Sequence, residues 1–363
     1  MSHATRKNIG VIGLGIIGRG IAGNLRRKGF AVYVWNRSPR SIPNFVGSPG
    51  ELAEICDCIE IFVSDGDALL QMVEQLGGKL TPHHLIVAHS TVAPDSMRAA
   101  AEIVERRKAQ FVEAPFTGSK AAAEKGELVY YVAGNDTALR EARPILQASS
   151  KQIIEIGPTI GQASAIKIAT NMITAASVQA TAEALAVVQA SGLPLEKFAE
   201  AMRSNASHSM TLEMKLSKML NRDFGPHFSV KHMLKDMQIA NQIGLSNYLD
   251  LGVTAAARDQ LLEQMHWGHG DDDYSVVARK YLQEPAPTSG EELPLEEGEG
   301  QVSLEEPIES TVQGDRAGPQ NAAPEVSPKS PEGLASAGPG KERTQLRRGF
   351  LKQLLSRLSS GQE

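Results

Sequence analysis

A glycine-punctuated turn near the start of the chain, Val11-Ile12-Gly13-Leu14-Gly15-Ile16-Ile17-Gly18, constrains the fold more than any other segment. It follows the apolar run Ile9–Ile12 and opens the amphipathic stretch Gly18–Lys28. A strand, this glycine spacing and a helix in succession form the fingerprint of a dinucleotide-binding βαβ unit. In that unit Gly13 permits the tight turn, Gly15 lets a pyrophosphate approach the backbone, and Gly18 lets the helix lie close on the strand. The helix N-terminus then offers free N–H groups to the phosphates. The whole turn, Gly13, Leu14, Gly15, Ile16, Ile17 and Gly18, is therefore assigned to cofactor binding.

The second apolar run, Ala31–Trp35, ends in Asn36-Arg37-Ser38. A site for NAD usually places an acid here to hold the ribose hydroxyls. A guanidinium and a hydroxyl suit a 2′-phosphate instead. Asn36, Arg37 and Ser38 thus point to NADP rather than NAD, with a solvated loop arginine as the plainer alternative.

Further short apolar runs follow at Ile59–Val63, Leu85–Ala88, Gln110–Val112, Leu128–Ala133 and Gln152–Ile156, with amphipathic stretches such as Ala68–Leu76 and Asp95–Lys108 between them. This alternation predicts an α/β fold, a Rossmann-type doubly wound parallel sheet with helices on both faces. From Gln162 to Ser191 the chain is Ala-rich and free of proline, which predicts one long, largely buried helix. Helical patterns continue at Pro194–Ser204, Thr211–Leu220, Val230–Ile243 and Leu251–His266. The expected organisation is a dinucleotide-binding domain over 1–160 and an all-α domain over 161–284, joined through the long helix. A Pro/Glu/Ser/Gly-rich linker over 285–340 cannot bury enough apolar surface to order itself. Over 341–363, Leu346, Phe350, Leu351, Leu354, Leu355 and Leu358 recur at helical spacing, with Arg347, Arg348, Lys352 and Arg357 largely off that face. This reads as a basic amphipathic C-terminal helix, a device for docking to a partner protein or a membrane surface. In layout it is similar to the encapsulation peptides that recruit enzymes into bacterial protein shells.

The net charge of −5 over 363 residues gives no reason to expect nucleic acid as a partner. No apolar run is long enough to span a bilayer, and the polar N-terminus does not read as a signal peptide. A cytoplasmic location is expected. Cys56 and Cys58 flank Asp57 with no metal-ligand cluster nearby, so they read as strand-entry residues and no metal is assigned.

Two more segments carry chemistry. Phe111-Val112-Glu113-Ala114-Pro115-Phe116-Thr117-Gly118-Ser119-Lys120 reads as a strand followed by a turn able to offer donors to a carboxylate, or else as a polar loop. In the long helix Lys167 and Asn171 share one face. A lysine in so apolar a helix is either functional or snorkels to the surface.

Together these segments resemble the β-hydroxyacid dehydrogenase family over roughly residues 8–282. That family includes 3-hydroxyisobutyrate dehydrogenases, tartronate semialdehyde reductases and glyoxylate/succinic semialdehyde reductases, with 6-phosphogluconate dehydrogenase as a relative. The motifs matched are the glycine turn, Ser90-Thr91, Glu113-Ala114-Pro115-Phe116-Thr117-Gly118, Gly161 with Lys167 and Asn171, and Lys235-Asp236 preceded by Phe228. The resemblance implies Lys167 as acid/base catalyst and Asn171 as a hydrogen-bond partner of the substrate near the reacting oxygen. It implies Thr117, Gly118, Ser119, Phe228 and Asp236 at the substrate, and Ser64, Thr91 and Lys235 at the cofactor. It further implies a small carboxylate substrate and a homo-oligomer, dimer or tetramer. Phe116 and Thr117 stand where the family usually has Val and Ser, and Ala88-His89 where Asp and an apolar residue are common. His89 reads as a core histidine at a strand end or as a substrate contact. The continuation Gly118-Ser119-Lys120 is closest to the glyoxylate/succinic semialdehyde reductase branch, with 3-hydroxyisobutyrate or tartronate semialdehyde as alternative substrates. An imine reductase and a non-catalytic scaffold recruited through its tail are the rival readings.

Overall fold

The computed structural model of the chain describes residues 7–282, so the expected linker and basic helix lie outside the described residues. The chain opens with β1 (Asn8–Ile12), α1 (Ile16–Arg27), β2 (Ala31–Trp35), α2 (Pro49–Ile55), β3 (Cys58–Ile61), α3 (Gly66–Gly77), β4 (Leu85–Ala88), α4 (Pro94–Glu105) and β5 (Gln110–Glu113). A short β6 (Phe116–Thr117) and α5 (Lys120–Lys125) precede β7 (Leu128–Ala133), α6 (Asp136–Leu146) and β8 (Ser150–Gly157). The sheet runs β2-β1-β3-β4-β5-β7-β6, with β8 beside β7.

β1 through β5 pair in parallel, whereas β5 and β6 meet β7 antiparallel. The doubly wound expectation therefore holds, with an antiparallel turn grafted on after β5. The strand order reverses at β1, which lies between β2 and β3. In open α/β sheets, ligands bind in the crevice at such a switch point.

The central strands are buried on both faces, which is why they read as continuous apolar runs. Ile9, Val11, Val34 and Val87 pack with Ile21 and Leu25 of α1 and Ile145 of α6 on one face. Ile59, Ile61 and Ile86 pack with Leu52 of α2, Leu69 and Val73 of α3, and Met97 of α4 on the other. Cys56 and Cys58 are free and buried, part of these cores.

The second half is helical: α7 (Gln162–Ala190), α8 (Leu195–Arg203), α9 (Met210–Leu220), α10 (Val230–Ser246), α11 (Gly252–His266) and a 3-10 turn at Tyr274–Ala278. They enclose a third core built on Val178, Leu185, Met219, Met237, Leu261 and Val276. Among the described residues no helix is long and apolar enough to cross a membrane, and no cluster of His, Cys, Asp and Glu is arranged to hold a metal ion.

α7 is anchored to the sheet by a carboxylate. Glu113, fully buried at the end of β5, accepts from the Gly161 N–H at 2.6 Å and from the Ser164 N–H. It satisfies two of the free amides that open every helix and lies at the favourable end of the dipole. Burial pushes its carboxyl up, against those hydrogen bonds, which pull it down.

Candidate active site

The three glycines of the turn do three different things. Gly13 takes φ +93°, and a Cβ there would lie 2.0 Å from the Phe62 carbonyl oxygen. A Cβ on Gly18 would lie 2.0 Å from the Gly13 carbonyl oxygen. At Gly15 a Cβ would meet nothing within 4 Å, because that position faces open space. α2, α3 and α6 are capped by the side chains of Ser48, Asp65 and Asn135, whereas α1 starts at Gly15 with no side-chain cap and no acid in its first turn. Its first amides are left for an external anion. These features fit a dinucleotide pyrophosphate.

From this geometry, Gly18→Ala is expected to lower thermal stability by about 1–3 kcal/mol or more, since the added methyl overlaps a backbone oxygen. Gly15→Ala is expected to leave stability within about 0.5 kcal/mol and to weaken dinucleotide binding. Thermal denaturation and calorimetric titration with NADPH, run on both variants, separate the two effects. Equal behaviour of the two would contradict the assignment.

The cleft above this turn has a volume of about 520 Å³. One wall is Gly15–Gly18 with Phe62 and Ser64, and its far end is Ser90 and Thr91. The opposite wall comes from the helical half: Phe228, Lys231, His232, Lys235, Asp236 and Asp271. Ser64, Thr91, Lys235, Phe228 and Asp236 all line this cleft.

Other expected residues stand elsewhere. Leu14 is buried in the core, and its N–H donates to Asn36 Oδ1 at 2.9 Å, so it is not offered to a phosphate. Asn36 braces the turn, its amide also donating to the Ser38 carbonyl at 2.9 Å. Arg37 and Ser38 are exposed beside it. Thr117, Gly118 and Ser119 do not line this cleft. Thr117 pairs with Val129 in the sheet, and the Ser119 hydroxyl caps α5 by accepting from Ala122 N–H at 3.3 Å.

Lys167 and Asn171 lie just behind the lining, joined to it by hydrogen bonds. Lys167 Nζ donates to Asn171 Oδ1 at 3.0 Å. Asn171 Nδ2 donates to Asp236 Oδ2 at 2.6 Å, which fixes the amide so that its oxygen faces the lysine. Asp236 pairs with Lys235 at 2.9 Å, and Lys235 donates to the Thr91 carbonyl across the cleft. Burial lowers the Lys167 ammonium to about 8, with Lys235 adding to the effect and Asp236 opposing it. A lysine near 8 gives and takes a proton close to neutral pH.

Several residues of this site are not singled out by the sequence. Glu113 appears there only within a motif, yet it seats the helix that carries Lys167. Lys215 and Asp273, an ion pair at 2.7 Å, fix the loop that presents Phe228: Asp273 accepts from the His227 and Phe228 N–H groups at 3.0 and 3.2 Å. His232 joins the helical wall with its ring 5.8 Å from that of Phe228. Glu60 interrupts the apolar run of β3, and this polar break is the available signal.

Two family models match in tandem over most of the chain. The NAD-binding domain of 6-phosphogluconate dehydrogenase covers residues 8–157, and the NAD-binding domain of NADP-dependent 3-hydroxyisobutyrate dehydrogenase covers 161–281. The chain belongs to the β-hydroxyacid dehydrogenase family. Glyoxylate/succinic semialdehyde reductase 1 of Arabidopsis thaliana is 29% identical over 279 residues, which cover 74% of this chain and 96% of the plant protein. The cytokine-like nuclear factor N-PAC of Danio rerio is 29% identical over 288 residues, 77% of this chain but only 62% of that longer protein. The matched part of this β-hydroxyacid dehydrogenase family member therefore spans about three fifths of that relative. The fold is shared with 3-hydroxyisobutyrate dehydrogenase of Mycobacterium tuberculosis, at a TM-score of 0.69 and 23% identity over 76% of this chain and 99% of that one.

Proposed function

We propose that the protein is an NADP-dependent oxidoreductase that interconverts a short aldehyde acid and its hydroxy acid, with Lys167 as general acid and base. The observation that carries this is the hydrogen-bonded chain Lys167–Asn171–Asp236–Lys235, which runs from a lysine lowered to about 8 to the wall of the dinucleotide cleft. When bound, the nicotinamide supplies or takes up the hydride. In reduction the Lys167 ammonium gives its proton to the carbonyl oxygen. In oxidation neutral Lys167 takes the hydroxyl proton. Asn171, its amide held by Asp236, keeps the amine directed and leaves it one hydrogen-bond partner to exchange for substrate. Lys235 holds α10 against the loop after β4, so the two halves of the cleft close on one geometry. Phe228 supplies an apolar surface that excludes water, which strengthens each of these charge interactions.

Glyoxylate and succinic semialdehyde are the favoured substrates, on the Gly118-Ser119-Lys120 continuation and on the plant relative's name. The test is a panel of these two with tartronate semialdehyde, 3-hydroxyisobutyrate and a cyclic imine, each with NADPH and NADH. NADPH-dependent turnover of an aldehyde acid is expected; turnover of the imine alone would replace the reading. Within the same panel, Arg37→Ala should lower kcat/KM for NADPH by about tenfold, one charge-assisted hydrogen bond. NADH kinetics should hardly move. An equal loss with both coenzymes would mean that Arg37 does not read the 2′-phosphate.

A homo-oligomer forms part of the proposal. Ile173 and Val187 of α7, Leu245 of α10 and Val253 of α11 are large apolar side chains more than half exposed, and a second copy would cover them. The N-PAC relatives favour a second reading, in which the fold serves a binding role without chemistry. Absence of turnover across the panel, with dinucleotide binding retained, would select it.

A further inference from the structure

β3 carries a carboxylate into the core. Glu60 is fully buried, in register with Val11 of β1 and Val87 of β4, and neither of its oxygens has a hydrogen-bond partner among the described residues. Nε2 of His89 lies 3.8 Å from Oε1 and also lacks a hydrogen-bond partner. His89 is 1% exposed, and its other nitrogen, Nδ1, lies 2.9 Å from the Ala114 carbonyl oxygen. A carbonyl only accepts, so Nδ1 carries a hydrogen. Nε2 and Glu60 Oε1 are beyond hydrogen-bond distance but within reach of an ion pair. An isolated ion here would cost several kcal/mol, so each of these two buried groups depends on the other as its polar neighbour. The other titratable groups around them are Cys58 on the same strand and Tyr130 from β7. Burial pushes both up, Glu60 adding to it, so neither releases a proton to the pair.

The pair supports the floor of the cleft. The His89 ring stacks on Phe62 at 4.3 Å with the planes 1° apart. Both rings line the cleft beside Gly15–Gly18. Phe62 in turn shapes the glycine turn: its N–H donates to the Ile12 carbonyl at 2.8 Å, and its carbonyl fills the space a Cβ on Gly13 would need. His89 occupies a position where the family commonly has an apolar residue, and Glu60 is the buried acid that accompanies it.

We propose that the buried pair Glu60 and His89 act together as positioning residues, fixing the His89–Phe62 stack on which the bound dinucleotide rests. This rests on the cleft being the dinucleotide site. The test is NADPH affinity, by nicotinamide fluorescence, for full-length Glu60→Leu, His89→Phe and the double variant. Each single change orphans a buried polar group and should weaken binding about tenfold. The double, an apolar pair that keeps a ring, should return to within about threefold of the wild type. Glu60→Gln, whose amide donates to Nε2, should bind like the wild type. Additive losses in the double, or single variants that lose thermal stability but bind NADPH normally, would overturn the proposal. Should the single variants not fold, nitrogen NMR of labelled histidine in the wild-type protein without dinucleotide decides. A hydrogen-bonded or protonated Nε2 supports the pairing with Glu60; a free lone pair overturns it. Failure of the wild type to bind NADPH would instead sink the cofactor reading, and the positioning role with it.

Discussion

Lys167→Ala should lower turnover by about 10²–10⁴, the range for a positioned acid or base, while NADPH binding is retained. The loss is expected in kcat, because the amine lies behind the lining of the cleft and is not a wall that grips the dinucleotide. The wild-type pH dependence comes from the same group. Burial brings Lys167 from an ordinary value of about 10.4 to about 8. Carbonyl reduction needs the ammonium and should decline as pH rises through about 8. Alcohol oxidation needs the free amine and should increase over the same interval. Parallel pH profiles in the two directions, or a Lys167→Ala variant within a few-fold of the wild type, would remove the lysine from the mechanism.

Asp273→Ala should be the most destabilising single change in the helical half. This carboxylate is fully buried and gathers Lys215 at 2.7 Å, two backbone amides of the Phe228 loop, and the Ser275 N–H and hydroxyl at 3.1 and 2.7 Å. Lys215 also lies 4.2 Å above the Tyr274 ring. Removing the acid strands a buried ammonium, which costs about 3–5 kcal/mol, and frees the loop that closes the cleft. Burial alone would raise the Asp273 carboxyl, but Lys215 and the Ser275 donors outweigh it and hold it below the usual range. A depressed acid contributes stability above its unfolded value of about 3.9. That contribution is lost as pH falls through the folded value. Urea denaturation at neutral pH measures the first effect, and an acid series on the wild type and on Asp273→Asn measures the second. Wild-type stability in Asp273→Ala would show that the hub is dispensable.

The sheet is legible in the sequence because its central strands are buried on both faces and so read as apolar runs, and because the glycine turn fixes the handover from β1 to α1. The helical half is legible from α7, which forms as a single long helix, but it is not largely buried as its composition suggests: ten of its 29 residues are buried, and Ile173 and Val187 are more than half exposed. The segment between β5 and β7 is harder to read. β6 is two residues long and α5 six, and neither length gives a periodicity. The turn at Thr117–Ser119 consequently reads as an open donor set, whereas its residues serve sheet and cap. Within the site, Lys167, Asn171 and Asp236 are found through motif resemblance; spacing alone leaves a surface lysine open. Glu113, Glu60 and Asp273 receive no role from the sequence, because a buried acid is recognised by the partner it meets, and most of their partners lie far away along the chain. His89 shows the same limit: its sequence context allows a core histidine or a substrate contact, and the structure makes it a buried residue that also borders the cleft.

The proposed chemistry requires one amine, seated on α7, to meet the reacting oxygen at the nicotinamide end of the cleft. A crystal structure of the complex with NADP and a bound hydroxy acid tests it most directly. In that complex Lys167 Nζ is expected within hydrogen-bond distance of the substrate hydroxyl, with Asn171 still tied to Asp236. A substrate oxygen lodged out of reach of that amine, held by other donors, would contradict it.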